Sequence, residues 1–521
     1  MQLGAFACVL AALPYETFEL ERHLVPKELA LYLTAFGATL FALAPAARLA
    51  PGARDLLLVG FLGWSAASTA LAANLWLALP AFGVSLAGAL LFWTARQVTR
   101  AGFGRALRTA LAAAVVLAAA TALLQAYGVE SSLFAERRSP GGTFGNRNFM
   151  AHLVAIGLPL VLLVATEARG RGRWLGAVAV MLLAAALVLS RTRAAWLAVG
   201  VTVAILAVET LGVARLHRVD PPWRKRARGL ALAALAGVAA ALLLPNDLDW
   251  RSDSPYLESL VGVANYREGS GRGRLIQYGN TLGMVRADPI LGVGPGNWAV
   301  AYPRFTTPGD PAFDPDDVIP TNPWPSSDWV ALLAERGAIA TLLLLAFGGS
   351  LTLAAWRRWR DGPRKTESLG DLALGATSLA TLLVGAFDAV LLLPAPTLFA
   401  WTIAGSLAAD LPDPPVRTIP LDAERRRLLR RGLTLTGACL ATYAALRWGA
   451  MAVFTSAGSV RVAARATWLD PGSYRMRMLL ARNHLARGDC RQARVHAEAA
   501  SGLFPNHPAP KQILRRCRRP G

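Results

Sequence analysis

Apolar residues occur along this chain in blocks rather than at amphipathic spacing, and most blocks approach the roughly 20 residues a helix needs to cross a bilayer. The pattern predicts spans over 2–20, 28–47, 55–72, 75–95, 106–126, 148–167, 174–190, 194–212, 229–245, 331–355, 369–392, 395–409 and 432–452. The blocks are rich in Leu and Ala, and too long and uniform for barrel strands of about 10 alternating residues. Helices satisfy their own backbone in lipid, so the expected fold is an all-α polytopic transmembrane bundle of about 12–13 spans.

Two stretches break the pattern. Residues 246–330 are polar and rich in Gly, Pro, Arg and Asp, and any chemistry is expected there. From about Ser456 the apolar blocks give way to amphipathic helices with Ala at small-residue positions. An offset of 34 pairs Ala463 with Ala497, Ala466 with Ala500, Leu469 with Leu503 and Pro471 with Pro505, which is the tetratricopeptide spacing. Tyr474 to Ala486 and Cys490 to Leu503 then read as an antiparallel helix pair turned at Arg487-Gly488-Asp489. So short an array buries little surface alone and needs the membrane domain, a partner or another copy to pack on; an amphipathic tail lying on lipid is the bland alternative. The expected organisation is 1–245 membrane helices, 246–330 a large external loop, 331–455 membrane helices and 456–521 a tetratricopeptide-like tail.

Composition agrees, with 54% hydrophobic and only 17% charged residues and a mean hydropathy of +0.39. A formal charge of +21 would suggest nucleic acid in a soluble protein. Here it is mostly topology. Arg48 and Arg54, Arg96 to Arg105, Arg169 to Arg173, Arg215 to Arg228, Arg357 to Lys365 and Arg417 to Arg431 fall in alternate connections. The positive-inside rule makes those cytoplasmic. It places the N-terminus inside, and the large loop and the tail outside. The first block lacks a basic n-region and a small-residue cleavage site, so it is expected as a retained span. Cys8 and Cys439 fall in expected helices and Cys490 and Cys517 in the tail, where a disulfide is a minority reading; no spacing suits zinc.

Polar residues at membrane depth are functional candidates by default, though many are structural. Gly141-Gly142-Thr143-Phe144-Gly145-Asn146-Arg147-Asn148 leads into the sixth span, either as a re-entrant turn or with N–H groups open to an anionic head group. Ser190-Arg191-Thr192-Arg193 forms a short external turn whose guanidiniums suit bidentate phosphate recognition, with interfacial snorkelling as the alternative. In the loop, Gly269 to Leu275 precedes a helix-like run Ile276 to Arg286, followed by Asp288-Pro289-Ile290-Leu291-Gly292-Val293-Gly294-Pro295-Gly296-Asn297. Asp328 stands before the tenth span, well placed as an N-cap.

Together these motifs resemble the O-antigen ligase and polymerase superfamily: Gly-Thr-Phe-Gly-Asn-x-Asn-Phe, Ser-Arg in the next external turn, Asp288 to Asn297, and the Glu335-x-Gly337 helix start. The resemblance spans roughly 56–410. It implies an inverting, metal-independent membrane glycosyltransferase without cofactors, using an undecaprenyl-diphosphate glycan at the periplasmic face of a bacterial inner membrane. The acceptor would be lipid A core or a growing polysaccharide. It further implies that Arg191 and Arg274 bind the donor diphosphate; Arg193 and Asn148 are further donor-site candidates. Paired arginines stabilise a diphosphate leaving group without a metal. The family's acceptor-activating His-Asn pair falls on Ser326 and Ser327, and 246–330 contain no histidine. Serine cannot replace imidazole as a base at neutral pH. Asp328 is the favoured proton acceptor, with Glu268, Glu258, His152 and Asp388 as further candidates. The competing expectation is a non-catalytic scaffold of the same fold whose tail recruits a protein partner.

Overall fold

A computed structural model describes all residues except 135–138, 218–221, 251, 253, 263–268, 316, 320–321, 362–367 and 518–521. Glu268, among the expected candidates, and the loop cations Arg218, Arg364 and Lys365 lie outside the described residues. The first half contains α1 (Gln2–Leu10), α2 (Glu21–Leu43), α3 (Ala53–Ala70), α4 (Leu75–Val98), α5 (Gly104–Ala126), α6 (Arg147–Glu167), α7 (Gly172–Ser190), α8 (Arg193–His217) and α9 (Pro222–Leu243). Then come α10 (Pro255–Val261), α11 (Gly269–Ala287), α12 (Trp298–Ala301), α13 (Asp328–Asp361), α14 (Ser368–Gly385), α15 (Pro394–Ala408) and α16 (Ala423–Thr455). The tail folds as α17 (Val460–Leu469), α18 (Tyr474–Ala486), α19 (Cys490–Leu503) and α20 (Pro508–Arg516).

The protein is an all-α polytopic helical bundle. Among the described residues, the stretches long and apolar enough to cross a membrane number seven: Glu21–Leu43, Leu75–Ala126, Arg147–Glu167, Gly172–Ser190, Lys225–Leu243, Asp328–Arg360 and Ala423–Thr455. The second holds two of the expected spans, broken at Gly102. Trp174, Leu175, Leu232, Leu235, Leu243 and Leu435 point outward, as suits a surface facing hydrocarbon.

The expected first span is corrected. The helix there is α1, nine residues long, which at 1.5 Å per residue reaches only about 13 Å. The Lys27 ammonium ends it by donating to the carbonyls of Val9 (3.0 Å) and Ala11 (2.7 Å). A lysine there takes carbonyls that a continuing helix would have bonded itself.

Contacts divide the chain into two compact units. The first is Met1–Leu57, Val84–Ala264 and Leu345–Ala438; the second is Leu58–Gly83, Asn265–Leu344 and Cys439–Gly521. In the first, α6 is central, with Phe149 to Val161 buried in unbroken succession. Apart from His152 that stretch is apolar on every face, as suits a helix surrounded by others. A two-residue antiparallel ribbon pairs Arg48 with Pro420 and Leu49 with Ile419, and beside it Arg96 bridges Asp55 at 2.9 Å.

In the second unit the tail packs on the large loop. Met284, Trp298, Val300, Tyr302 and Ala334 share one apolar core with Tyr474, Met478, Ala497 and Phe504. The turn Asn74 is held there twice, its N–H donating to the Asn297 Oδ1 (2.8 Å) and its side chain to the Leu503 carbonyl (3.0 Å). The α18–α19 pair has the expected bounds. The fourth tail helix, α20, was not anticipated, although His507 as N-cap and Pro508 behind it are ordinary start signals. Cys490 and Cys517 are joined by a disulfide, so the minority reading of the sequence holds.

Candidate functional site

In the first unit, the polar residues singled out along the sequence come together around the turn between α7 and α8. Arg191 ends α7 in the left-handed conformation, φ 52° and ψ 27°, the one non-glycine in that region among the described residues. A side chain rarely tolerates that backbone, at a cost of about 1 kcal/mol or more, and such strain clusters at functional positions. The conformation turns the guanidinium across Trp250, 4.7 Å from the ring centroid. Its Nε donates to the Ser259 Oγ (2.8 Å) and its Nη2 to the Glu258 Oε2 (3.0 Å). Arg147 lies over the same indole at 5.0 Å. Arg193 donates to the Gly262 carbonyl.

Asn148 links this turn to the segment that follows α14. Its Oδ1 accepts from the Thr192 hydroxyl (3.2 Å), and its Nδ2 donates to the Asp388 Oδ2 (3.3 Å). The His152 Nε2 lies 3.9 Å from the same carboxylate oxygen, with the imidazole buried one turn along α6. Asn148, Arg191, Arg193, Asp388 and His152 therefore form one neighbourhood with Trp250, Glu258 and Ser259. Trp250 and Ser259 escaped the sequence reading. An indole in a polar stretch was a usable signal; a serine beside a glutamate was not.

Glu258, among the candidate bases, lies with its carboxylate on the Arg191 guanidinium. The glycine-rich approach to α6 is not an anion cradle. Residues 141–146 are buried, and the N–H groups of Gly141 and Gly142 both donate to the Gln125 Oε1 (2.9 and 2.8 Å). Gly142, at φ 52°, lies so close to α5 that a Cβ would meet the Ala122 backbone nitrogen at 2.9 Å. The motif packs a re-entrant turn, which leaves Arg147 and Asn148 as its outward-reaching members.

In the second unit, Arg274 lies on α11, which begins at Gly269 rather than Ile276; the glycines expected as loop are its first turns. One turn on, the Gln277 Oε1 accepts from the Ser326 N–H (2.9 Å), and the Tyr278 hydroxyl donates to the Ser326 carbonyl (2.6 Å). The serine pair is thereby fixed to the helix that carries Arg274. Ser327, not Asp328, caps α13, its Oγ accepting from the Val330 N–H at 3.5 Å. Asp328 is the first helical residue and is fully buried.

The remaining loop motif is architectural. α13 breaks at Gly337 (φ 75°, ψ 178°), which frees two carbonyls from the helical ladder. The Ala334 carbonyl takes the Val293 N–H (3.0 Å) and the Glu335 carbonyl takes that of Gly294 (2.8 Å), while Ala338 donates back to Pro289 (2.9 Å). The Glu335 carboxylate accepts from the Trp298 N–H at 3.3 Å, at the start of α12. Next to it Tyr302 stacks on Trp298 and donates to the Asp310 carboxylate (2.7 Å). Burial, then that bond, raise the phenol well above its ordinary pKa.

Fold and side chains together define a polytopic all-α membrane protein with an arginine-bearing polar cluster in one unit and a tail-buttressed loop in the other. Residues 178–345 match the O-antigen ligase family model. The match takes in Arg191, Arg193, Arg274 and Asp328; Asn148, Asp388 and the tail lie outside it. No curated protein matches the chain significantly.

Proposed function

We propose that this protein is a membrane glycosyltransferase of the O-antigen ligase or polymerase type, moving a glycan from an undecaprenyl-diphosphate donor to a sugar acceptor without a metal. The observation that carries the reading is Arg191: strained at its backbone, backed by Trp250, and grouped with Thr192 and Arg193 inside the family-matched region and with Asn148 outside it. A guanidinium held in place stabilises the charge that develops on a departing diphosphate with little reorganisation at the moment of reaction. Arg274 receives the same task from the resemblance, on a helix that also positions the serine pair.

For the acceptor proton, Asp328 carries the assignment made from sequence. Its complete burial favours Asp388 as a rival, since Asp388 already bonds to Asn148 and neighbours His152. The tail and loop are read as periplasmic and the membrane as a bacterial inner membrane. The Cys490–Cys517 disulfide supports an oxidising compartment for the tail.

Transfer from a lipid-diphosphate glycan by purified protein tests the proposal. Arg191→Ala and Arg274→Ala should each lower the rate by at least about 100-fold, the usual effect of removing one charge-stabilising donor. Asp328→Asn and Asp388→Asn decide the base, since only the true acceptor should abolish transfer. A wild type inert towards both lipid A core and polysaccharide acceptors would instead indicate a scaffold that recruits partners through the tail.

A further inference from the structure

The Arg191 guanidinium is already engaged. α10 places the Glu258 carboxylate on Nη2 at 3.0 Å and the Ser259 hydroxyl on Nε at 2.8 Å, two acceptors along one edge of the fork. That edge is one a phosphate can use, because planar guanidinium pairs with oxyanions through two adjacent N–H groups. The two partners differ in freedom. The Arg191 side chain is 14% exposed and that of Glu258 64%. The cation is fixed by its backbone and Trp250, and the anion lies on the solvent side. Beyond α10, Arg193 holds the Gly262 carbonyl, so the segment is tied down at both cations of the turn.

We propose that Glu258 is an internal anion that occupies the phosphate position on Arg191 and is displaced when the donor diphosphate binds. The inference rests on the donor-site reading of Arg191. A competitor carried by the chain lowers the affinity of every anion by the same factor. Weak monoanionic lipid head groups then fall below useful occupancy, while a lipid diphosphate, with more charge and more acceptor oxygens, stays above it. The same carboxylate can return as product leaves, so Arg191 is not left uncompensated in a partly dry site.

The test is binding of geranylgeranyl diphosphate to the full-length protein in detergent, comparing wild type, Glu258→Gln, Arg191→Ala and the double variant. Melting temperatures report whether each is folded. Glu258→Gln should bind about fivefold more tightly, the factor that an ion pair of about 1 kcal/mol would withhold. The gain should vanish in the Arg191→Ala background. Unchanged or weaker binding by a folded Glu258→Gln overturns the proposal, and so does an equal gain without Arg191, which would mean general charge repulsion. Equal binding by wild type and Arg191→Ala would overturn the donor-site reading itself.

Discussion

At the scale of single residues, two of this protein's unusual backbone conformations carry predictions. Arg191 is one, and its chemistry depends on a planar fork rather than on charge alone. Arg191→Lys should therefore fail to rescue transfer, remaining at least about tenfold below wild type in the glycan assay, because an ammonium reproduces neither the two-pronged contact nor the stacking on Trp250. Gly337 is the other. A Cβ there would lie 1.9 Å from the Ile290 carbonyl oxygen, at a φ that L residues avoid. Gly337→Ala should destabilise the protein by about 2–4 kcal/mol, read as a lowered melting temperature in detergent. These two residues also show what the sequence disclosed. Arg191 was legible as a candidate, because a short turn between apolar blocks carries two arginines, with interfacial snorkelling as the competing reading. Glu335 and Gly337 were legible as a motif but not as a joint, because a helix break that lends its carbonyls to a distant loop leaves no local signature.

Among elements, the helices were read most reliably, since the apolar blocks that bury or face lipid are the dominant signal in this chain. Errors gathered where polar side chains replace hydrophobicity as the deciding term. Lys27 stops α1 after nine residues inside a block that continues apolar. Ser327 rather than Asp328 caps α13, because the carboxylate is drawn into the interior as the first helical residue. Gly269, Gly271 and Gly273 form helix despite their low propensity, a tertiary override of a weak preference. In the tail, the repeat spacing located α18 and α19 but could not pair the cysteines. The Cys490–Cys517 bond ties the start of α19 to the end of α20 across a separation of 27 residues. On chain entropy alone such a loop contributes roughly 3–4 kcal/mol. Reduction should expose the α19–α20 backbone to hydrogen exchange while leaving α6 protected, and Cys490→Ser should reproduce that pattern without reductant.

For the molecule as a whole, the second unit joins chain segments far apart in sequence: the Asn74 turn, the large loop and the tail. Its stability should depend on pH. Burial, then Arg477 and His484, lower His496 to about 4; burial, then Arg482 and Lys511, lower His507 to about 4. Unfolded, both imidazoles protonate near pH 6.5. Between those values the unfolded chain binds more protons than the folded one. Stability is therefore complete above about pH 6.5 and falls as the pH drops towards 4, by on the order of 2 kcal/mol per histidine. Melting curves between about pH 7 and 5 should show the loss, and His507→Gln should flatten it. The core that Trp298 shares with Tyr474, Met478 and Phe504 also sets a timetable. A ribosome makes the loop well before it makes the tail, and chains emerge at only about 5–20 residues per second. For those seconds Trp298 and Tyr302 have no α18 to close over them. A nascent chain cut short before Tyr474 would thus hold every arginine assigned to the donor and still have an unfinished loop, whose packing waits on the late arrival of the tail.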